Sequence, residues 1–233
     1  MCHVITQFVH NSFIFAMYNP VMTAPNALPR EPSMTPAPPA FSALVVFADP
    51  SLHRSRISRR VAEAVARLPG VQVQDLYQLY PDFYIDVRRE RALLKAAPLV
   101  VFVFQLAWYA MPALLKEWFD TVFKPEWMAH EGRPGRLQGK SAWAAVACPG
   151  NEPGYGAGVH ARPLEDYLAP LEQSTRACGM DWLAPHVFYG AAGANLAADA
   201  DYAAAAERHA DELRRLLARH AGLEADMGDG HGA

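Results

Sequence analysis

The chain has 233 residues, of which 52% are hydrophobic and 19% are charged, and this is enough apolar material for one well-buried core. Its formal net charge of -3 provides no electrostatic basis for binding nucleic acid or an anionic membrane surface. The three cysteines, Cys2, Cys148 and Cys178, are widely spaced and form no CxxC pair. This argues against a disulfide framework and a structural zinc site, and it suits a reducing compartment. No apolar stretch reaches the ~18 residues of a membrane span. We expect a cytoplasmic protein.

The first 41 residues differ in composition from the rest of the chain. Arg30 and Glu31 are their only charged residues, and seven prolines fall between Pro20 and Pro39. Seven prolines remove backbone donors and interrupt any periodicity, so we predict a disordered extension over residues 1–41. A signal peptide is the alternative, but the apolar segment near the start has no positive residues before it and is interrupted by polar ones.

From Ser42 onward, short apolar runs alternate with helical patterns. The runs ALVVFA (43–48) and LVVFVF (99–104) are apolar throughout, which is typical of strands buried on both faces. The predicted strands are 43–48, 71–76, 99–104, 141–147 and 182–190, and the predicted helices are 56–67, 88–97, 112–123, 163–177 and 200–219. This alternation predicts one α/β domain over residues 42–219, a parallel sheet with helices on both faces, followed by a flexible tail over 220–233.

Ligands of such sheets bind beyond the carboxyl ends of the strands, so the three loops after the central strands are the candidate site. The first loop, ADPSLHRSRIS, runs into a helix, and its Ser55 and Ser58 with nearby arginines suit a phosphate group at a helix N-terminus. An ordinary serine N-cap is the alternative. The loop contains neither a Walker motif nor GxGxxG, which disfavours a P-loop NTPase and a dinucleotide-binding Rossmann site.

The second loop contains adjacent aromatic residues, Trp108 and Tyr109, where a turn is usually small and polar. They form either a wall for a flat ligand or part of the core that covers the end of the sheet. The third loop, ACPGNEPGYGAGVH, is rich in glycine, so backbone amides can approach a ligand closely. Its Tyr155 and His160 are side chains that donate protons or hydrogen bonds, although a plain exposed loop is the alternative. Cys148 has no histidine placed by sequence to activate it as a nucleophile.

Several longer segments together resemble the flavodoxin-like NAD(P)H:quinone oxidoreductase family. They are LVVFADPSLHRS, DLYQLYPDFYID, QLAWYAMPALLKEWFDTVF, LQGKSAWAAVACPGNEPGY and CGMDWLAP, and the resemblance covers about residues 43–218. The most similar branch is that of the ancillary flavoproteins of glutathione-regulated potassium-efflux systems. The resemblance implies a flavodoxin-like, doubly wound, five-stranded parallel sheet with strand order 2-1-3-4-5.

The resemblance also implies a bound flavin, FMN or alternatively FAD, with NAD(P)H as co-substrate and a quinone as the electron acceptor. In this family the first loop holds the flavin phosphate, the second lies along the isoalloxazine edge, and the third covers its other side. A tyrosine and a histidine lie over the reactive face, which assigns Tyr155 and His160 as catalytic residues. The implied cofactor-binding residues are Asp49, Ser55, Arg56, Ile57, Ser58, Leu106, Ala107, Trp108, Tyr109, Ala147, Cys148, Pro149 and Gly150.

The chain departs from the family pattern in all three loops. Asp49 replaces the usual histidine after the first strand, and a carboxylate repels a phosphate unless it turns away or pairs with an arginine. Gln105 and Ala107 replace a proline and a glutamine. Residues 147–150, Ala-Cys-Pro-Gly, replace Thr-Thr-Gly-Gly and thereby lose two hydroxyls and one amide donor.

Three alternatives therefore stay open beside the quinone reductase. The first is a regulatory subunit on the cytoplasmic side of a potassium-efflux antiporter, which implies peripheral attachment at the inner face of the membrane. The second is a flavin-free member of the family. The third, a one-electron carrier, is disfavoured by the mild net charge. The family also implies a homodimer with its active site near the interface.

Overall fold

The computed structural model describes residues 41–50, 56–128, 135–156, 158, 160–190 and 200–223. The six strands in this part of the chain are β1 Ala43–Ala48, β2 Val71–Asp75, β3 Leu99–Gln105, β4 Ser141–Cys148, β5 Asp181–Trp182 and β6 His186–Tyr189. The α-helices are α1 Arg56–Ala66, α2 Leu76–Leu79, α3 Val87–Ala96, α4 Ala113–Val122, α5 Pro125–Met128, α6 Leu164–Ala177 and α7 Ala200–His220. The two four-residue helices, α2 and α5, are not among the predicted elements.

The sheet is parallel throughout, with strand order β2-β1-β3-β4-β5, and β6 also pairs with β4. The predicted doubly wound order 2-1-3-4-5 is therefore confirmed. The predicted last strand, 182–190, is instead two short strands that occupy the fifth position one after the other. Pro185 lies in the break, and a proline has no N–H to donate to the ladder of β4.

Alternate residues of each central strand face opposite helical layers, and both layers are apolar. Leu44, Phe102 and Val146 face a core that also contains Trp118 of α4 and Leu168 of α6. The other face carries Val45, Val101 and Trp143, which pack against α1 and α7 through residues such as Val61, Leu213 and Leu217. Burial on both faces explains why the strands appear in the sequence as continuous apolar runs.

One carboxyl group is fully buried in the first of these layers. Glu90 of α3 accepts hydrogen bonds from Tyr80 Oη at 2.6 Å and from Trp118 Nε1 at 3.0 Å. Burial and the bond to Glu90 raise the pKa of Tyr80, so the phenol remains a donor. The three side chains join α3 and α4 to the segment that follows α2.

The predicted limits of the domain stay predictions. Of the expected N-terminal extension only Phe41 lies among the described residues, and the expected tail lies outside them from residue 224 on. Within the described part of that tail, Leu223 N–H donates to Ala218 O at 2.8 Å. No described helix has the length and apolar character that a membrane crossing requires.

Candidate functional site at the carboxyl edge of the sheet

The pairing of the central strands brings the second and third loops to one edge. Ala48 pairs with Phe104, and Gln105 pairs with Ala147, so β1, β3 and β4 end side by side. Asp49, the residue after β1, is buried with only 2% of its surface exposed. Of the first loop, residues 51–55, and with them the predicted Ser55, lie outside the described residues. Arg56, Ile57 and Ser58 lie in the first turn of α1.

The loop after β3 is a tight turn held by its own backbone. Leu106 is buried and its N–H donates to Ala147 O at 2.8 Å, which attaches the start of the turn to β4. Ala107 and Ala110 then exchange two N–H···O bonds, each of 3.1 Å. Between them Trp108 and Tyr109 both have left-handed backbones, with φ of 50° and 64°. Two consecutive residues with positive φ define a type I′ turn, a conformation that costs non-glycine residues free energy.

This turn presents two aromatic rings away from the core. Trp108 is 94% exposed and Tyr109 is 44% exposed. The alternative in which both residues belong to the core that covers the sheet is therefore wrong. Strained backbone at the ligand-binding edge of an α/β sheet is typical of a functional position.

β4 ends with the buried thiol of Cys148, and the loop that follows contains Gly150, where any other residue would be strained. Burial raises the pKa of Cys148 to about 12, so it stays a neutral thiol and is a poor nucleophile at neutral pH. Pro149, which has no N–H, is half-buried, and Gly150 has a φ of 76°. A Cβ on Gly150 would lie 2.9 Å from His160 Nε2, so a side chain at this position would strain the backbone and displace the His160 ring.

Side chains hold the rest of this loop in place. Asn151 caps a short 3₁₀ turn, Glu152–Gly154, by accepting from Gly154 N. Tyr155 Oη donates to Pro149 O at 2.9 Å, across the loop. Tyr167 of α6 donates its hydroxyl to His160 O, and His160 N–H donates to Gly154 O at 3.2 Å.

The predicted catalytic pair, Tyr155 and His160, meets in a cluster of aromatic rings. The two rings stack with centroids 4.2 Å apart and planes 19° apart. Tyr109 approaches from the other loop, with its ring centroid 5.7 Å from that of His160 and its hydroxyl 3.4 Å from His160 Nδ1. Tyr167 and Tyr189 complete the cluster, at 5.0 Å from Tyr109 and 5.7 Å from Tyr155 respectively.

Burial, followed by the nearby Cys148, raises the pKa of Tyr155, and burial also raises that of Tyr189. Both phenols therefore keep their protons at neutral pH. The sequence interpretation did not include Tyr167 and Tyr189 in the site. The spacing of a tyrosine on a helix or a strand does not show which residue of a distant loop it will contact.

The fold and this edge define a class: a doubly wound α/β protein with flat aromatic walls and protonated phenols at the ligand end of its sheet. The family model described as flavodoxin-like fold, Flavodoxin_2, matches residues 42–213, and the chain therefore belongs to this family.

Solved structures agree on this fold. A structure named thermophilic tryptophan halogenase, from Streptomycin violaceusniger, is 32% identical, covers 75% of this chain and 97% of its own, and has a TM-score of 0.67. General stress protein 14 of Treponema denticola, solved in complex with FMN, is 25% identical and has a TM-score of 0.68. The match covers 78% of this chain and 99% of that protein. A NADPH-quinone reductase from P. pentosaceus is 22% identical, covers 75% and 96%, has a TM-score of 0.63, and shows the fold alone. One name is that of a halogenase, one that of a stress protein and one that of a quinone reductase, so the likeness concerns the fold rather than one reaction.

Proposed function

We propose that the protein is a flavin-dependent NAD(P)H:quinone oxidoreductase that passes two electrons from the nicotinamide to a quinone. The observation that carries this proposal is the ring cluster, in which His160 stacks on Tyr155 and contacts Tyr109. The cluster lies beside the exposed residue Gly150. It combines a flat aromatic surface with proton-bearing side chains at the ligand-binding edge of a flavodoxin-like sheet.

The residues at this edge fit a flavin. The indole of Trp108 offers a flat face that is almost fully exposed. Within the described residues, the N–H groups of Trp108, Tyr109 and Gly150 donate no hydrogen bond, so they are available to the ring nitrogens and carbonyl oxygens of a flavin. The second and third loops would hold the ring through Leu106, Ala107, Trp108, Tyr109, Ala147, Cys148, Pro149 and Gly150, and the first loop and α1 would hold the phosphate of FMN, or of FAD, through Ser55, Arg56, Ile57 and Ser58.

A bound flavin supplies the exchange of a hydride between NAD(P)H and the quinone. The complete reaction converts NAD(P)H, one proton and a quinone into NAD(P)⁺ and a hydroquinone. The protein must therefore provide a proton at a quinone oxygen, in addition to orienting the reactants.

The hydrogen bonds of Tyr155 and His160 indicate a different role for each side chain. The hydroxyl of Tyr155 already donates to Pro149 O, which keeps its ring in place beneath His160. His160 has Nδ1 near the Tyr109 hydroxyl and Nε2 beside Gly150. We therefore assign proton delivery to His160 and orientation of its ring to Tyr155.

The decisive experiment is a visible spectrum of the purified protein after incubation with FMN and removal of the unbound flavin by gel filtration, because a flavin that stays bound absorbs near ~450 nm. Titration with NADH and NADPH, followed by a panel of quinones, then measures the two half-reactions separately. We expect Tyr155→Phe combined with His160→Ala to slow reoxidation by quinone much more than it weakens flavin binding. An unchanged quinone half-reaction would contradict the assigned roles, and the lack of any flavin band would contradict the whole proposal.

The same purified protein distinguishes the reductase from two alternative functions. A flavin-free member of the family would give no band near ~450 nm with either FMN or FAD. A regulatory subunit of a potassium-efflux antiporter would bind flavin, but it would show its main effect on ion flux when added to the antiporter in vesicles. We propose the reductase first because the ring cluster places proton-bearing side chains at the ligand edge, where a reductase would use them to protonate a quinone oxygen.

We also propose that the protein is a homodimer. Exposed aromatic residues support this: Phe83 and Tyr84, in the loop between α2 and α3, are 42% and 84% exposed. The Trp108 turn follows β3 directly, and the loop with Phe83 and Tyr84 follows β2 after the one-turn helix α2. We infer that the exposed rings lie toward the same edge of the sheet. Sedimentation of Tyr84→Ser against the wild-type chain tests this proposal, because a monomeric wild-type chain, or a variant that stays dimeric, would contradict it.

A further inference from the structure

A pair of histidines joins β6 to α7 on the face of the sheet that carries α1 and α7. His186 Nε2 and His209 Nδ1 are 3.1 Å apart, and the two rings lie within 9° of parallel. At this distance one of the two facing nitrogens carries a proton and the other accepts it, so a single N–H···N bond connects the two rings. A second proton between these nitrogens would replace the bond by repulsion.

The surroundings of the pair disfavour charge. His209 is only 6% exposed, and the ring of Phe188 lies 4.5 Å from its own. The residues that enclose the small cavity beside it are all apolar: Phe47, Val61, Val103, Phe104, Ala145 and Ala147. An imidazolium in this place would lose its hydration and gain no counter-charge from the strands or from Val61 of α1.

Few ionisable groups of the described residues face the pair. Glu212, three residues after His209 on α7, interacts with His186. His220 lies on the Trp143 ring at 5.0 Å, and His186 lies 6.3 Å from the same ring. The remaining charged groups lie between α1 and α7, where they line an exposed groove. They include Arg60, Glu63, Arg67, Glu207, Asp211 and Arg214.

Burial is the largest influence on both imidazoles. It lowers the pKa of His209 to about 3, with His186 as a further cause, and it lowers the pKa of His186 against the opposing effect of Glu212. Both rings are therefore neutral at neutral pH, and this state is compatible with a single N–H···N bond between them.

We propose that the His186–His209 pair is an acid-sensitive latch: neutral, it holds α7 against β6, and when it takes up protons in mildly acidic solution it releases α7. The latch is well placed to affect the ligand edge. His186 pairs with Ala145 of β4, and three residues later Tyr189 pairs with Cys148 and contacts Tyr155. A shift of β6 would therefore displace the ring cluster. The effect of such a shift on flavin binding rests on the function proposed above.

The direction of the pH effect follows from proton binding. A histidine whose pKa is lowered by folding binds fewer protons in the folded chain than in the unfolded one. The stability of the folded state therefore rises with pH in this range and is lost as the pH falls below the ordinary histidine value of 6.5. At pH 5 one such histidine lowers the ratio of latched to released α7 about 30-fold.

Amide hydrogen exchange of the full-length protein at pH 7.5 and pH 5 tests the latch without any flavin. We expect the protection factors of α7 amides to fall by at least 10-fold relative to those of α6 at the lower pH. His209→Leu should abolish that difference, whereas His220→Leu, an exposed histidine on the same helix, should retain it. Equal protection of α7 at both pH values in the wild-type protein, or an unchanged loss in His209→Leu, would overturn the latch.

Two further measurements keep the outcome decisive. If His209→Leu does not fold, an NMR titration of the wild-type imidazoles decides, because a normal titration of His209 near pH 6.5 excludes a neutral buried pair. FMN binding measured at both pH values then tests the link to the site. Weaker binding at pH 5 together with α7 release supports the link, and α7 release with unchanged binding contradicts the link alone. The absence of binding at both pH values contradicts the proposed function and leaves the exchange result for the latch intact.

Discussion

The two loops that meet at the carboxyl edge of the sheet differ in how far their side chains hold them in place. The loop after β3 is fixed by main-chain bonds, namely the reciprocal pair between Ala107 and Ala110 and the bond from Leu106 to β4. Its large side chains point away from the core, and Trp108 contributes almost nothing to the interior. The loop after β4 also has main-chain bonds, such as those from Gly154 N and His160 N. It differs because side chains hold it as well: Tyr155 and Tyr167 donate to carbonyls within it, and His160 packs on the ring of Tyr155.

The difference indicates how each loop responds to change. A turn held by its backbone can alter its side chains with little loss of stability, so its aromatic rings are available for binding. In a loop held by side chains, the residues that maintain the shape are also the residues proposed for catalysis. Substitutions there should reduce stability and activity together, and the following predictions test this contrast.

Gly150→Ala should have the largest effect. Its Cβ would lie 2.9 Å from His160 Nε2, and the left-handed backbone adds roughly 1–2 kcal/mol of strain. Displacement of His160 by about 1 Å should lower quinone reductase activity about 100-fold. The matched control is Gly139→Ala, at a φ of 79° with open space around it, which should lose stability but keep its activity. Equal activity losses in the two variants would show that strain, rather than the position of His160, controls the rate.

Tyr155→Phe should reduce the rate of quinone reduction about 10-fold, which is less than the loss expected for His160→Gln. The variant retains the ring beneath His160 but loses the bond to Pro149 O, which costs about 1 kcal/mol of unfolding free energy. Stopped-flow reoxidation and urea denaturation measure the two effects. If Tyr155→Phe were the slower of the two variants, proton delivery would belong to the tyrosine.

Trp108→Gly should separate binding from stability in the backbone-held turn. Relief of the left-handed strain is offset by the greater freedom of glycine in the unfolded chain, so the unfolding free energy should change by less than about 0.5 kcal/mol. Loss of the indole should weaken FMN binding about fivefold, as expected for one aromatic contact. Fluorescence titration and urea denaturation measure both, and a loss above about 1 kcal/mol would show that the Trp108 side chain does support the turn.

Tyr167→Phe should give the smallest effect, on the loop held by side chains. Loss of its bond to His160 O should cost about 1 kcal/mol of stability and slow the quinone half-reaction about threefold. Tyr84→Phe is a suitable control, since it also removes a single phenol hydroxyl, from a ring that is 84% exposed. Identical behaviour of the two variants would contradict a positioning role for Tyr167.

Much of the fold could be predicted from local pattern. The runs 43–48 and 99–104 contain only apolar residues because each strand is covered by helices on both sides, and their predicted limits agree with β1 and β3 to within one residue. The break in the last strand has one local signal, Pro185, but the run 182–190 is long enough for one strand and its pattern therefore predicts one. The carbonyl of Ala184 in that break accepts from Trp143 Nε1 at 2.9 Å, a contact across 41 residues.

The sequence by itself determined that this protein is a doubly wound α/β domain, and it identified three loops where a ligand would bind. These conclusions depend on periodicity and on motifs within single segments, and such signals are local. Only the tertiary structure decided which rings meet, as with Tyr109 and His160, which are 51 residues apart, and His186 and His209, which belong to different elements. The physical reason is that the strand register and the packing of helices place side chains from distant segments together, and no property of either segment alone specifies its partner.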